Sequence, residues 1–325
     1  MKAIVFTQYG TADVLELKET DKPVPKEDEV LIKVYAVSIN DWDLGIFQGD
    51  PINRLLNGLF KPKIKIPGSD IAGRIEAVGR NVKKFQPGDE VYGDLSGRWG
   101  GFAEYVCAHE KALALKPAGM SFEEAAAIPQ AAMLALQGLR DKGHIQSGQK
   151  LLINGAGGGV GTFAVQIAKL YGVEVTGVDS LGKLDMMRSL GFDHVIDYKQ
   201  EDFTKNGKTY DLILDVKTNR SIFYYTHVLS RNGIYVIVGG SMFRLLQALF
   251  LGPWISIISK KKICFVALKA NKDLDYMNEL FEAGKVKPVI DGTYRIEEFH
   301  AALRLFSEGN HKGKVVISVV HNYKL

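Results

Sequence analysis

The sequence predicts an α/β fold: a doubly wound parallel sheet, with a separate all-β unit ahead of it. Three observations carry that expectation. A glycine-rich turn between a strand and a helix sits in mid-chain. Strands and helices alternate after Ser121. Short β signals crowd the first 120 residues.

The turn is Lys150-Leu-Leu-Ile-Asn-Gly-Ala-Gly-Gly-Gly-Val-Gly161. Leu151, Leu152 and Ile153 read as a buried strand. Val160, Phe163, Ala164, Ile167, Ala168 and Tyr171 then recur at helical spacing, and Gly172 is a stop signal. Glycines at that handover let the backbone approach a pyrophosphate, which lies on the helix N-terminus. A second strand, Val173–Val178, ends at Asp179, 21 residues after Gly158. An acid about 20 residues on is placed to accept hydrogen bonds from a ribose hydroxyl. The glycines could otherwise serve only to pack a helix tightly on a sheet.

The β signals of the first part are Lys2–Phe6, Val30–Val37, Ile71–Val78, Glu90–Tyr92 and Phe102–Val106, with Gly, Pro and Asp between them. They suggest a partly open barrel. Ser121-Phe-Glu-Glu124 has capping-box spacing and opens an Ala-rich helix to Gln137, broken or kinked near Pro129. Strands are expected at Leu151–Asn154, Val173–Val178, His194–Ile196, Asp211–Val216, Ile234–Val238 and Ile263–Leu268. Helices at Leu274–Ala283 and Ile296–Glu308 surround Pro288–Asp291. The strand Lys314–Val320 suggests a return to the first unit. The expected domains are 1–122, 123–268 and 269–325.

Leu245–Ile258 is the most apolar run of the chain. It is shorter than the ~20 residues of a spanning helix, and Gly252-Pro253 interrupts it. A buried lid or subunit contact is the preferred reading. An entrance for a lipophilic substrate is an alternative, and Lys260-Lys-Lys262 keeps a membrane-surface option open.

The chain has 325 residues, 41 basic and 37 acidic, for a net charge of +4. That balance argues against nucleic acid as a partner and for a mixed solvated surface. Two cysteines, Cys107 and Cys264, cannot build a disulfide framework or a four-thiolate zinc site. The strand-like start at Lys2 carries no secretory signal, so the cytoplasm is the expected location.

The sequence resembles the zinc-independent quinone oxidoreductase branch of the medium-chain dehydrogenase/reductase superfamily, which includes zeta-crystallin. Gly148-Gln149, Leu152, Ala156-Gly-Gly-Gly159, Gly161, Gln166 and Lys169 match that branch's signature. Pro67–Gly73, Gln86–Val91, the Asn40…Asp43 pair, Val238-Gly-Gly240 and Gly313-Lys314 support it. The resemblance implies a central Rossmann domain plus a GroES-like catalytic barrel formed by the N-terminal part and the C-terminal return. It also implies hydride transfer from NADPH or NADH to a quinone or activated alkene, in a dry slot between the domains.

By the same resemblance, Asn40 and Asp43 are catalytic candidates. Gly157, Gly158, Gly159 and Val160 would hold the pyrophosphate, Gly239 and Gly240 would lie near the nicotinamide, and Lys314 would neutralise cofactor charge. A turn-stabilising role is the simpler alternative for Asn40. Asp179 favours NADH, whereas Ser180 and Lys183 resemble the pair by which relatives hold NADPH; Lys183 is more simply a solvated helix residue. Where zinc-dependent relatives carry Cys and Gly-His-Glu, this chain has Ile39-Asn40 and Gly68-Ser69-Asp70, so no metal is expected.

Gly45 and Phe47 stand where many quinone reductases have Tyr and Arg, and Leu134 where a Thr is common. Those departures leave no obvious general acid. An aromatic slot for a flat lipophilic acceptor is the expectation for Trp42, Phe47 and Trp99, with core packing as the alternative. The resemblance also implies a homodimer through Ile263–Leu268. Two other functions compete: an NAD(P)-dependent alcohol/aldehyde oxidoreductase, and a cofactor-bound non-enzyme with a structural or RNA-binding role.

Overall fold

A computed structural model describes residues 1–319. The chain divides into two compact units, one of residues 1–130, 270–282 and 290–325, the other of residues 131–269 and 283–289. The expected break after residue 122 falls earlier than this division. The reason lies in the Phe122–Ala127 helix, whose Ala125, Ala126 and Ala127 are fully buried. Those short side chains let the helix lie close on the strands Glu29–Ser38, Asp70–Val78 and Lys314–Ser318. The capping box at Ser121 and Glu124 forms, and the helix ends before Pro129. The segment 283–289, expected with the C-terminal return, groups with the other unit.

The first unit is built on a seven-stranded sheet whose centre is Glu29–Ser38. Its ten residues pair with Asp70–Val78, Tyr105–His109 and Lys314–Ser318, all antiparallel. Alternate residues Val30, Ile32 and Val34 enter the core, where they meet Phe6, Phe47, Ile71, Phe102 and Ile317. The strand expected at Phe102–Val106 forms three residues later, at Tyr105–His109. Phe102 and Ala103 are held otherwise: Phe102 N–H donates to Pro67 O and Ala103 bridges to Ala3. The closing strand is Lys314–Ser318, and Val320 of the expected strand lies outside the described residues.

The second unit is a six-stranded sheet, all parallel. Its spatial order is His194–Asp197, Glu174–Asp179, Lys150–Asn154, Tyr210–Asp215, Leu229–Ile237, Lys262–Phe265. The chain starts in the middle, winds outward to one edge, returns, and winds to the other. The order therefore reverses between Lys150–Asn154 and Tyr210–Asp215, leaving a crevice at the carboxyl ends of those strands. Leu151, Leu152, Leu212, Ile213 and Leu214 are fully buried, as central strands covered on both faces require.

The apolar run differs most from expectation. It forms one helix, Met242–Ser259, which continues through Pro253. Of its 18 residues only Ala248 and Gly252 are buried, so it is not a buried lid within this chain. One side does pack: Leu245, Leu251 and Ile255 lie against the sheet core.

The helix Gly159–Lys169 starts so close to its strand that only glycine fits at Gly161. A Cβ there would lie 2.4 Å from Ala156 O. Gly161→Ala should cost about 2 kcal/mol of stability and weaken dinucleotide binding, measured by denaturant unfolding and by titration with reduced nicotinamide. Unchanged stability and binding would show that the close approach is dispensable.

Candidate active site

Each unit carries one group of the expected residues. In the sheet unit, Ile153 and Asn154 end the first strand and the chain turns through Gly155 at φ +80°. Gly157 N–H donates to Asp179 Oδ2 at 2.8 Å. Gly159 opens the helix with Val160, and the first N–H groups of any helix lack intrahelical partners. Those donors, with the positive end of the helix dipole, suit a pyrophosphate. A Cβ on Gly157 would come within 2.6 Å of the Lys183 side chain, so a larger residue would fill the cradle. The residues fit a dinucleotide on that ground.

Asp179 is more occupied than the sequence suggests. Besides Gly157 N–H it accepts from Ser180 N–H, and Lys183 Nζ lies 3.4 Å from it. Lys183 is only 5% exposed, which corrects its reading as a solvated helix residue. Its stem packs over the glycine turn and its ammonium offsets the Asp179 charge, so the acid and base form one pair beside the turn.

Gly239 and Gly240 sit beyond the end of the Leu229–Ile237 strand. Gly239 O accepts from Thr218 N–H at 2.9 Å, and Gly240, at φ +141°, bridges to Thr218. A Cβ on Gly240 would stand 2.4 Å from Thr218 N, so this double glycine lets two loops run side by side.

Sequence reasoning passed over the polar cluster beneath these loops. Asp215, with no exposed surface, accepts from Tyr235 Oη and from Asn154 Nδ2, each at 2.7 Å. Asn154 Nδ2 also reaches Lys217 O and Tyr225 Oη at 3.1 Å. The Tyr225 and Tyr235 rings stack at 4.8 Å. Burial pushes the Asp215 carboxyl above its ordinary range, opposed by its hydrogen bonds to Tyr235 and Asn154. The cluster ties the carboxyl ends of the two central strands together at the crevice. An acid ending the apolar run Leu-Ile-Leu-Asp215 was its only sequence signal.

In the barrel unit, Asn40, Asp43 and Lys314 come together with Ser69 and Asp70. Asn40 precedes the Asp41–Gln48 helix, and its backbone N–H donates to Asp43 Oδ2 at 2.8 Å. Asp43 thereby supplies its half of a capping box at the helix start, and the Asn40 side chain makes further contacts. Its Oδ1 accepts from Lys314 Nζ at 2.5 Å, and its Nδ2 donates to Asp70 Oδ2 at 3.0 Å and Ser69 Oγ at 3.2 Å. Lys314 Nζ also donates to Ile39 O and lies 3.7 Å from Asp70 Oδ2. Lys314 is therefore held inside the barrel unit, where its ammonium sits among acids.

Asp43, Asp70 and Asp94 are all buried around that single ammonium. Burial pushes Asp43 up to about 7, opposed by the Asn40 N–H and the Lys314 charge. Burial also raises Asp70, against the pull of Lys314, and lowers Lys314. One ammonium cannot offset three carboxylates in a medium of low dielectric, so the group retains protons that isolated acids would lose.

The three aromatic residues do not form a slot. Phe47 packs edge-on against Phe6 at 6.4 Å, and both Phe47 and Trp99 belong to the barrel core. Trp42 alone is surface-accessible, at 48%. Phe47 faces inward because it follows Ile46 on the buried side of a short helix that leans on the sheet.

The Asp43 proton gives a signed expectation. Its folded value lies above the ordinary carboxyl value near 4, so the proton is released on unfolding between about pH 4 and pH 7. This contribution to stability is full below pH 4 and is lost as pH rises through 7. Asp43→Asn should flatten the pH dependence of the unfolding free energy in that window by up to about 1.4 kcal/mol per pH unit. Parallel curves for the two proteins, from denaturant titrations, would contradict the assignment.

Comparisons with known proteins cover both units. An alcohol dehydrogenase GroES-like domain matches residues 26–118, and a zinc-binding dehydrogenase domain matches residues 190–317. The chain is 35% identical to the 2-methylene-furan-3-one reductase of Solanum lycopersicum over 98% of this chain and 79% of that one. It is 33% identical to the NADPH-dependent alkenal/one oxidoreductase of Arabidopsis thaliana, with 98% and 79% covered. It is 32% identical to a quinone oxidoreductase of Triphysaria versicolor over 98% of both chains. The solved quinone oxidoreductase from Coxiella burnetii superposes with a TM-score of 0.86 at 28% identity, covering 98% of this chain and 99% of that one. With the glycine turn, the parallel sheet and the barrel all in place, this chain belongs to the medium-chain dehydrogenase/reductase superfamily, among its quinone and alkenal oxidoreductases.

Proposed function

We propose that this protein is an NAD(P)H-dependent reductase of quinones or activated alkenes that works without zinc. The observation that carries the reading is the glycine cradle from Gly157 to Val160, closed on one side by the Asp179–Lys183 pair. Reduced nicotinamide, when bound, supplies the hydride, and the acceptor takes up a proton as well. The chain's own part is to bind and orient. Gly157 to Val160 would hold the pyrophosphate, Asp179 the ribose, and Gly239 and Gly240 would give close backbone approach at the far end of the strand tips.

The zinc-free reading rests on the donor set. Asn40 and Ser69 stand where a metal-dependent relative would need stronger ligands, and the Asn40 oxygen is already taken by the Lys314 ammonium. Among the described residues no group of three or more His, Cys, Asp or Glu side chains is arranged to hold a metal. A cation fixed on a lysine would oppose a second one brought to the same oxygens. These features support the reading without zinc.

Either nucleotide is accommodated in this reading. Asp179 disfavours a 2′-phosphate, while Lys183 beside it offers a compensating charge. The acceptor is proposed to be one that takes its proton from water, since Asp43, Asp70 and Asp94, the acids grouped with Asn40 and Lys314, are buried. A homodimer paired through the edge strand Lys262–Phe265 accompanies the proposal, because that strand has a partner on one side only within this chain.

The test is oxidation of NADH and NADPH by chelator-treated protein offered a small quinone, an alkenal and an aldehyde. Turnover on the quinone or alkenal is expected. Lys183→Ala should reduce kcat/KM with NADPH about tenfold more than with NADH, the effect of one lost charged hydrogen bond. Activity confined to the aldehyde and dependent on added zinc would replace this reading with an alcohol/aldehyde oxidoreductase.

A further inference from the structure

The Met242–Ser259 helix carries more apolar surface than its place in the fold can use. Its inner side, through Leu245, Ala248, Leu251, Gly252 and Ile255, covers the sheet core. Its outer side is Met242, Phe243, Leu246, Leu249, Phe250, Pro253, Trp254, Ile257 and Ile258, every one exposed. Phe243, Phe250, Trp254, Ile257 and Ile258 are 67–81% exposed. These positions recur every three or four residues, so they form one continuous stripe along roughly 27 Å of helix. The polar side chains of the helix, Arg244, Gln247, Ser256 and Ser259, are all half-buried, so every fully exposed position on it is apolar. A helix apolar on all sides is normally covered on all sides.

The charges around the stripe say what would cover it. From Val216 to Lys269 the chain has eight basic residues and no Asp or Glu, although the whole chain is nearly balanced. Arg244 lies in the first turn of the helix, and Lys260, Lys261 and Lys262 follow its last. Long basic side chains at both ends of an apolar stripe, with Trp254 on it, suit a helix lying in the boundary between headgroups and acyl chains. A second copy of the chain is the competing occupant. The homodimer proposed above uses the edge strand Lys262–Phe265 and not this face. A two-fold contact over the stripe itself would set Arg244, Lys260 and Lys261 against their own copies with no acid from Val216 to Lys269 to offset them, which opposes it.

We infer that the outer face of Met242–Ser259 is a docking surface for an anionic lipid bilayer, on which the protein rests peripherally. The helix is long and apolar enough to cross a membrane by length and composition, but its position in the fold forbids that. It joins Leu229–Ile237 to Lys262–Phe265, neighbouring parallel strands paired from Ile234↔Lys262 to Ile237↔Phe265. Both ends are therefore tied to one sheet, and insertion across a bilayer would tear that sheet apart.

The experiment is partition of the full chain onto vesicles of phosphatidylcholine alone, or with about one-third phosphatidylglycerol, read by flotation and by tryptophan emission. Binding should be at least about tenfold stronger to the anionic vesicles and should weaken in high salt. A blue shift on binding should vanish in Trp254→Phe while flotation persists. The double variant Phe250→Glu/Trp254→Glu should keep its unfolding midpoint and lose binding at least about tenfold. No partition of the wild-type protein onto either vesicle would overturn the proposal. So would partition that survives the double variant while light scattering shows a dimer broken into monomers, since the stripe would then face a second copy. Neither readout depends on which acceptor the enzyme reduces.

Discussion

The Lys314 ammonium, buried among carboxylates, is the contact on which the barrel unit's polar centre depends. A buried charge is tolerated only when paired and hydrogen-bonded. Lys314 meets that condition by drawing together three separate stretches of chain. Ile39 and Asn40 come from the end of the central barrel strand, Asp70 from the start of its neighbour, and Lys314 itself from the strand that closes the unit. Lys314 opens the closing strand and Ser38, paired to Val316, ends the central one, so the register sets all three groups at one end of the sheet. The amide of Asn40 has no free choice of orientation there: its oxygen faces the ammonium and its nitrogen faces Asp70 and Ser69.

The sheet unit solves a related problem with hydrogen bonds in place of an ion pair. Parallel strands leave their carboxyl ends pointing at the crevice where the order reverses. Asn154 and Asp215 are the last residues of the two strands that flank the reversal, and they are bonded to each other. Tyr235 from the next strand supplies the second donor to Asp215. A carboxylate with both oxygens engaged holds three strand ends in register without needing a cation. The turn Gly155–Gly158 and the two loops that meet at Thr218 and Gly240 are then mounted on a rigid base, which a site built from backbone N–H groups requires.

The sequence was most legible where local chemistry and global fold ask for the same residue. The glycine turn, the Ser121 capping box and the apolar strands Leu151–Ile153 and Leu212–Leu214 all form, because each pattern has one structural solution. Strand ends moved by a residue or more wherever backbone groups found non-ladder partners, as at Phe102. The site was half legible. Asn40, Asp43 and Lys314 were identified by resemblance, but their contact needs the pairing of strands far apart in sequence, which no local pattern encodes. Asp215 falls inside the apolar run expected as a strand at Asp211–Val216, and only the fold brings it to Asn154 and Tyr235. Phe47 and Trp99 failed as slot residues for the opposite reason: an aromatic side chain carries no mark telling core from surface.

The long helix is where sequence and fold disagree most, and the disagreement is informative. A crossover helix in a doubly wound sheet must be apolar on one stripe, and Leu245, Ala248, Leu251, Gly252 and Ile255 supply it. Gly252 even brings the helix within contact distance of Ile263, as close packing on the edge strand demands. Nothing in that duty asks for Phe243, Phe250, Trp254, Ile257 or Ile258 on the other side. Exposed apolar residues of this size lose their transfer free energy to water and invite aggregation, so ordinary folding stability does not account for them. Pro253 strengthens the point. A mid-helix proline removes one backbone hydrogen bond, yet here it sits on the exposed face and the helix runs on past it. The inner stripe belongs to the sheet, and the outer stripe belongs to something beyond the chain.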